Sequence, residues 1–492
     1  MTDAAWAYTP PAQAARPRLA DRYLTALSVC LLGYALFGRA FAYLGVPPLF
    51  IGEAMLALGL GAVALARPPR RVVVSPAMGV AVVFLLWVAV RTVPYVSGYG
   101  TDALRDAMVA GYALFAFVVA GLVMARPERL AELLVRYRVL VVLLSSVAWL
   151  IYLIFRINKE AFPMLPWADN VRVIENKPGD LLVHLAGITA FLVLRWRRPT
   201  PWLLGLLIVG VGAMMVGNRG GMLGYLLAMG VFAVLKPASA TFGRMAYVGA
   251  LLLVLAVVVD TSSLQVNEGN RSLSLEQLGE NLKSVFGQSD QAMLADTAEW
   301  RLLWWGKIVD YTVFGDYRWT GKGFGRNLAD EDGFNTDEEK SLRSPHSVHM
   351  TVLARGGLPG AGLWLLLHGL WWGGLLGAWR VARRAGLTAW QGFFAFCAVY
   401  WTAASVNASF DVYLEGPMGA IWFWCVWGAA CAGTRLVRTH PRLLDGLAPS
   451  APPPPAFAWE PRPASAPPGL SPEVPARGVA SGPAWRADGL GV

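Results

Sequence analysis

Charged residues are scarce in this sequence. Asp, Glu, Lys and Arg make up 15% of its 492 residues, whereas hydrophobic residues make up 56%, and the mean hydropathy is +0.47. Soluble globular domains carry about 25% charged residues, so the composition excludes a soluble protein of this size and indicates a multispanning membrane protein. The net charge of +10 does not imply nucleic acid, because in a membrane protein the placement of the charges says more than their sum.

Residue groups that several kinds of site require are also missing. The four cysteines all lie in apolar segments, so neither a disulfide framework nor a metal site with ligand spacing is visible, and we expect no metal and no cofactor. The glycine-rich stretch 321–325 lacks the GK[ST] ending of a nucleotide-binding loop and predicts a tight turn. The acidic stretch Asp330 to Glu339 has its glycine in the wrong place for a calcium-binding loop and predicts a solvated loop.

Long apolar runs bounded by charges or prolines predict about twelve membrane-spanning helices, so the predicted fold is an all-α integral membrane protein. The first run follows three arginines as in a signal peptide, but it is too long and lacks a cleavage site. We place the spans at 23–42, 49–66, 75–93, 107–125, 139–156, 180–194, 202–216, 220–235, 244–259, 350–378, 388–406 and 418–434.

Basic residues occur in every second connection between these spans. Because cytoplasmic loops collect Lys and Arg, we place those connections and both termini in the cytoplasm. The other connections are mostly short, except for one between the ninth and tenth spans. The expected order is a cytoplasmic N-terminus at 1–22, nine spans within 23–259, an extracytoplasmic loop domain at 260–349, three spans within 350–438 and a disordered, proline-rich cytoplasmic tail at 439–492.

Two helices are predicted within the loop domain, at Leu273 to Phe286 and at Ala298 to Phe314. The second has an apolar side that suggests a helix lying at the lipid interface. Arg301 precedes two tryptophans of that side by three and four residues, so it would project close to the membrane surface. The apolar side is formed by Trp304, Trp305, Ile308 and Val309.

Two histidines precede the tenth span. Ser344 and Pro345 are a plausible N-cap and first helical residue, which would place His346 in the first turn. The positive end of a helix disfavours imidazolium, so a neutral His346 could accept a proton. His349 would face roughly the same way. The alternative interpretation is a histidine at a membrane boundary with no function.

Arginines at the outer ends of spans need an explanation, because positive residues collect on the other side. Arg219 lies between glycines at an outer turn, where its guanidinium would suit a phosphate or diphosphate. Arg39 and Arg91 also lie near outer ends, although snorkelling towards lipid headgroups explains them without function. In the last outer loop Asp411 could orient a histidine, bind a sugar hydroxyl or cap a helix.

Taken in order, these features resemble the O-antigen ligase and polymerase superfamily, membrane enzymes that move glycans from a polyprenyl diphosphate carrier outside the cytoplasmic membrane. The resemblance covers about Gly205 to Gly428. The family pattern usually has Asn where Ser347 stands and Ser where Asn218 stands. The motifs are Asn218-Arg219-Gly220-Gly221, Trp300-Arg301, Gly321 to Gly325, Pro345-His346-Ser347, Arg355 to Gly360 and Asn407 to Asp411.

The resemblance implies an inverting, metal-independent glycosyltransferase of the bacterial inner membrane, with its active site on the periplasmic side. Its donor would be a glycan on undecaprenyl diphosphate. His346 would accept the proton of the acceptor hydroxyl or help to hold the diphosphate. Arg219 and Arg301 would stabilise the departing diphosphate. The residues expected to contact the diphosphate or the glycan are Arg219, Arg301, His349, Arg39, Arg91 and Asp411.

Several functions stay open within this interpretation. The enzyme could ligate finished O-antigen to a lipid A core in lipopolysaccharide biosynthesis. It could instead polymerise repeat units of O-antigen or exopolysaccharide, with a chain-length regulator as partner, or glycosylate a protein. A lipid-linked oligosaccharide transporter belongs to another class, which predicts two similar halves and charges near the bilayer midplane. Here the charges gather at the outer rim and one half alone has a large outer loop, which favours an enzyme.

Overall fold

The computed structural model describes residues 19–47, 49–66, 75–168, 171–243, 267–268, 271–272, 292–335 and 342–447. Three sequence predictions fall on the remaining residues: the ninth span at 244–259, the helix at 273–286 and most of the proline-rich tail. The tail was predicted to be disordered from residue 439. The described chain instead continues as packed structure to Leu447, whose side chain is buried and whose carbonyl accepts a hydrogen bond from Arg138.

The described residues are mainly helical. Two short antiparallel hairpins are formed by β1 (Gly45–Val46) with β2 (Leu49–Phe50) and by β3 (Asn267–Glu268) with β4 (Arg271–Ser272). A π-helical turn at Asp310–Phe314 continues α11. The helices are α1 Leu19–Phe37, α2 Arg39–Ala42, α3 Ile51–Ala66, α4 Pro76–Tyr99, α5 Thr101–Gly111, α6 Leu114–Ala125, α7 Glu128–Ile157, α8 Pro178–Val193, α9 Pro201–Gly217, α10 Arg219–Leu235, α11 Ala292–Val309, α12 Leu328–Asp332, α13 Val348–Arg384, α14 Thr388–Ala408 and α15 Pro417–Thr439.

Every predicted span on described residues falls mainly on helical structure, although the spans 23–42 and 107–125 each cover two consecutive helices. Among those residues, five helices are long and apolar enough to cross a bilayer, namely α1, α4, α7, α13 and α15. The consecutive helices α5 and α6 would add a sixth span if counted together, with a bend of 42° between them. Helices α3, α8, α9 and α10 are apolar but shorter. The predicted helical membrane fold is thus confirmed, whereas the total of about twelve spans stays a prediction.

Close helix crossings build the buried core. Helix α10 packs chiefly on α14 and α8, α15 packs on α6, and α4 packs on α13. Glycine permits the closest of these approaches because it has no side chain. Close packing matters here, since lipid supplies little hydrophobic driving force for helix association. At Gly428 of α15 a side chain would collide with the backbone of Ala116 in α6, and at Gly187 of α8 it would collide with the ring of Tyr400.

Helix α13 is broken near its start. Gly357 has φ 64° and ψ −168°, a conformation that side-chain-bearing residues essentially never adopt, and Pro359 follows within the same helix. The freed N–H of Leu358 donates to the Arg318 carbonyl at 2.8 Å. The break therefore faces the loop domain and bonds to it.

The glycine turn 321–325 docks into this break. The N–H groups of Lys322 and Gly323 donate to the carbonyls of Ala354 and Arg355 at 2.8 and 3.0 Å. Gly321, Gly323 and Gly325 all have positive φ, which makes the turn tight enough to fit against the helix. The predicted tight turn is confirmed, and it fixes the loop domain to the membrane helices.

Replacing Gly357 by alanine tests this junction. The new Cβ would lie 2.7 Å from the Arg318 carbonyl oxygen and 2.8 Å from the Gly321 nitrogen, in backbone dihedral angles that suit glycine alone. We expect a loss of at least about 1–3 kcal/mol, measured as a lower melting temperature of the purified protein in detergent. Gly362→Ala is the matched control in the same helix, because no atom lies within 4 Å of its Cβ position. It should be neutral or slightly stabilising, and equal melting temperatures for the two variants would contradict the role of the break.

Candidate active site

Asp411 is the centre of the candidate site. It lies in the connection between α14 and α15, and its side chain is 13% exposed. Its Oδ1 atom accepts hydrogen bonds from Lys177 Nζ at 2.6 Å and from the Val412 N–H at 2.7 Å. His346 Nδ1 lies 3.8 Å from the same oxygen, which is an ion-pair distance. A single carboxylate thus holds together three separate segments of the chain.

The surroundings of Asp411 keep it ionised. Burial raises the pKa of this carboxyl, but the neighbouring His346 and the positive charge of Lys177 outweigh burial and hold the pKa below its usual range. Asp411 is therefore negatively charged at neutral pH. The interpretation of Asp411 as a helix cap is wrong, because the N-cap of α15 is Gly416. Its place beside His346 matches the alternative that it orients a histidine.

His346 lies just before α13 and not inside it. The N-cap of α13 is Ser347, whose hydroxyl accepts from the Met350 N–H, so the predicted start at Ser344 and Pro345 is wrong. Trp305 Nε1 donates to the Pro345 carbonyl at 2.9 Å and so binds this segment to α11. His346 itself has φ 51°, an unfavourable conformation for a residue with a side chain, of the kind that clusters at functional sites.

His349 has different surroundings. Its Nδ1 accepts from Trp364 Nε1 at 3.0 Å, and its Nε2 lies 3.4 Å from the Ser405 carbonyl oxygen. Helical spacing cannot align the two histidines, because His346 lies outside the helix and His349 inside it. That expectation is wrong, and these contacts give His349 a role in helix packing, while its contact with substrate stays a prediction.

Arg301 approaches Asp411 from the loop domain. Burial lowers the pKa of this guanidinium, and the charge of Asp411 offsets part of that effect. Its Nε atom is buried and has no hydrogen-bond partner among the described residues. The ring of the preceding Trp300 lies 6.3 Å from the ring of His346, measured between centroids. Helix α11 thus places the Arg301 guanidinium, with one N–H donor unused, near His346 and Asp411.

Arg219 is the first residue of α10. The Asn218 side chain caps this helix by accepting from the Gly221 N–H at 2.6 Å. A Cβ on Gly220 would lie 3.0 Å from Phe410 Cβ, so the start of α10 touches the residue that precedes Asp411. The predicted close approach at these glycines is confirmed. Here the approaching groups are Phe410 and the backbone of Gly179.

Three helix starts meet around Asp411. Helices α8, α10 and α13 begin at the residues after Lys177, Asn218 and Ser347, and each helix start carries partial positive charge. Asn407 links two of the adjoining helices, because its Nδ2 donates to Asp180 Oδ1 at 3.0 Å. Together with the cationic side chains of Lys177 and Arg301, the helix starts favour a multiply charged anion at this place.

The other predicted binding residues have partners outside this cluster. Arg39 pairs with Glu175 at 3.3 Å and is about half exposed. Arg91 donates to the Thr320 carbonyl at 2.7 Å and so secures the glycine turn. Their contacts with substrate stay predictions. Within the described ranges no three His, Cys, Asp or Glu side chains are grouped as metal ligands would be, and the expected metal independence is likewise untested.

Two predictions for the loop domain need correction. Asp332 is 2% exposed and not part of a solvated loop, because it accepts from Trp304 Nε1 at 2.8 Å and pairs with Lys322 at 2.5 Å. The apolar side of α11 does not face lipid either. Trp304 and Ile308 are fully buried against protein, packed with Leu328, Ala329 and Ala354.

Lys177 and Asp180 were missed by the sequence reasoning, which also gave Asn407 no role of its own within the Asn407 to Asp411 motif. Lys177 is 234 residues from Asp411 in sequence, and no local pattern links the two. Lys177 carried one signal that could have been used. Positive residues are scarce in outer loops, so an outer lysine needs an explanation as much as an outer arginine does.

Residues 203–365 match a family model described as O-antigen ligase. A search of curated proteins found no match. The matched stretch runs from α9 into α13 and includes Arg219, Arg301 and His346, whereas Lys177 and Asp411 lie outside it.

The fold defines a helical membrane protein in which cationic side chains and helix starts gather around one carboxylate. More narrowly, residues 203–365 match the O-antigen ligase family, and this match supports membership of the O-antigen ligase and polymerase superfamily. Membership supports ligase or polymerase activity in general, with a lipid-linked glycan and a polysaccharide acceptor as partners.

The ion pairs of Asp411 predict an acid-dependent stability. A carboxyl whose pKa is lowered on folding contributes stability above its unfolded pKa of about 3.9, and the contribution is lost as the pH falls through the lower folded pKa. We expect Asp411→Asn to lower the melting temperature at pH 7, with a shrinking difference from wild type at increasingly acid pH. Asp310→Asn, at an exposed position of the loop domain, is the control and should change little. A difference that stayed constant down to pH 3 would contradict this account.

Proposed function

We propose that this protein transfers a glycan from a polyprenyl diphosphate carrier to an acceptor hydroxyl, at the non-cytoplasmic end of its membrane helices. The observation that carries the proposal is the meeting of His346, Arg301 and the start of α10 around Asp411. These groups come from three distant parts of the chain and include a base, a source of positive charge and an orienting carboxylate. The proposed place is the periplasmic side of a bacterial inner membrane.

The positive part of the cluster would receive the diphosphate. A guanidinium donates two parallel hydrogen bonds that match phosphate oxygens, and Arg301 has an unused buried donor. Arg219 begins a helix whose N-terminal N–H groups favour the same anion. Both arginines would stabilise the negative charge that the diphosphate gains when its bond to the sugar breaks.

His346 would act as the base. With Nδ1 turned towards Asp411, the Nε2 atom is available to the acceptor hydroxyl. Asp411 would hold the ring in this orientation and stabilise the imidazolium that forms when the proton arrives. Diphosphate is a good leaving group, so general base catalysis of about 10² to 10⁴-fold and positioning suffice without a covalent intermediate. Direct displacement inverts the anomeric configuration.

The ligase form of the reaction is our preferred version, because the matched family model is described as O-antigen ligase. In that form the acceptor is a lipid A core and the product is lipopolysaccharide. The polymerase, acting on repeat units of O-antigen or exopolysaccharide with or without a chain-length regulator, and the protein glycosyltransferase use the same chemistry on other acceptors. A transporter would need no base beside an anion site.

Alanine at Arg219, Arg301 or His346 should each reduce transfer by at least about 10²-fold, since each removes charge stabilisation or the base. The assay uses purified full-length protein in detergent, a synthetic polyprenyl diphosphate oligosaccharide and a lipid A core acceptor, with the product followed by gel shift. Arg318→Ala is the control, because that exposed arginine of the loop domain donates only locally, to the Val313 carbonyl. Undiminished transfer by all three site variants would refute the proposed chemistry.

The acceptor can be identified with the same assay. A donor carrying a single repeat unit is supplied with the lipid A core acceptor, and then alone. A ligase should give one discrete product that requires the core. A ladder of longer carrier-linked glycans in the absence of core would instead identify a polymerase. The melting temperature of each preparation controls for loss of folded protein.

A further inference from the structure

A groove lies at the opposite end of the helices from Asp411. It has a volume of about 270 Å³ and is bounded by α1, α7, α14 and α15. Its lining includes Phe393 and Cys397 near the start of α14, whereas Asp411 follows the end of α14. At 1.5 Å per residue the two places are separated by roughly 20 Å along the helix. The groove is therefore no part of the candidate active site.

The walls of the groove are almost wholly apolar. Its lining includes three hydroxyl groups, and all three already have partners. The hydroxyls of Tyr137 and Tyr400 are hydrogen-bonded to each other at 2.7 Å, and the other two groups are satisfied within α1. Thr25 Oγ1 donates to the Asp21 carbonyl at 2.9 Å and Ser28 Oγ donates to the Leu24 carbonyl at 2.7 Å. A soluble ion would gain nothing from such walls, whereas a hydrocarbon chain would bury its surface there.

Arg136 is the one charged residue among the described residues that line the groove. Its Nη2 lies 3.7 Å from Glu132 Oε2, and its side chain is 27% exposed. Its Nη1 is buried and has no hydrogen-bond partner among the described residues. Leaving such a donor unsatisfied is costly, more so for a charged group. An anionic oxygen beside Nη1 would satisfy it.

The end of the helices at which Arg136 lies favours a negatively charged lipid. Arg126 and Arg129, which precede Arg136 in the chain, pair with Asp21 and Glu132, whereas Arg380, Arg383 and Arg384 at the end of α13 are exposed. Such basic ends face the cytoplasm, where the adjoining leaflet supplies anionic headgroups. An apolar groove and an unsatisfied guanidinium donor together select a molecule with a hydrocarbon chain and a phosphate.

We infer that the groove binds one anionic phospholipid, with an acyl chain along α1 and α7 and a phosphate oxygen at Arg136 Nη1. The lipid would fill the space between these two helices and the α14 and α15 pair, and so stabilise the bundle at the end remote from Asp411. The inference does not depend on glycan transfer, because the two sites share no residue.

Two measurements on the purified full-length protein test whether the groove binds an anionic phospholipid. Native mass spectrometry reports which lipid stays bound, and thermal unfolding reports the stabilisation by added phosphatidylglycerol or phosphatidylcholine. Wild type should retain phosphatidylglycerol and be stabilised by it at lower concentration than by phosphatidylcholine. Arg136→Gln should reduce that preference by about tenfold, the effect of one charge-assisted hydrogen bond. Arg384→Gln, an exposed arginine at the same end but outside the groove, should leave the preference unchanged.

A second variant separates the groove from the charge. Ala429→Phe would fill part of the groove while keeping Arg136, and it should lose the bound lipid of either kind. Three results would overturn the inference. These are an unchanged preference in Arg136→Gln, equal stabilisation of wild type by the two lipids, and retention of a polyprenyl phosphate in place of a phospholipid.

Discussion

The charge of one partly buried carboxylate holds the candidate site together. Lys177 and His346 both face Asp411 Oδ1, and Arg301 lies within the range of its field. Helix starts add further positive charge around it. Without a negative group beside them, Lys177, Arg301 and the imidazolium that His346 forms on taking up a proton would repel one another at low dielectric. The ion pairs offset the cost of burying Asp411, so the carboxylate stays charged and keeps its neighbours close before any substrate arrives.

The loop domain can deliver Arg301 and His346 only if it is fixed to the membrane helices. Buried polar contacts do this at two levels. Arg355, in the break of α13, pairs with Asp106 at 3.0 Å and donates to the Arg326 carbonyl at 3.1 Å. Lys322, within the glycine turn, pairs with Asp332 at 2.5 Å and so joins the turn to the rest of the loop domain. Removing one partner of such a pair leaves an uncompensated buried charge. The loop domain is therefore held in one position, docked on the break of α13.

The sequence allowed the helices to be predicted and singled out Arg219, Arg301 and His346 as candidates, because both leave local signals. Apolar length marks a membrane helix, and an arginine among outer glycines conflicts with the usual distribution of charge. Prediction failed where two local choices compete or where partners are distant. Ser344 and Ser347 are both good N-caps, and only the tertiary contact of Pro345 with Trp305 favours the second. The burial of Asp332 and the pairing of Lys177 depend on segments brought together by folding, so no window of sequence contains them.

In the proposed reaction, charge appears at two places at once. Negative charge grows on the departing diphosphate, while positive charge grows on His346 as it takes the proton of the acceptor. Interactions that strengthen only in the transition state are the ones that accelerate the reaction. The attraction between the arginines and the departing diphosphate would strengthen in this way, and so would the attraction between Asp411 and His346. In each case the charge of opposite sign develops fully only during the reaction. Their positions are set before the reaction by buried ion pairs and helix starts, so little reorganisation is required when the charges form. On this argument the same electrostatic arrangement accounts for the cohesion of the site and for its chemistry.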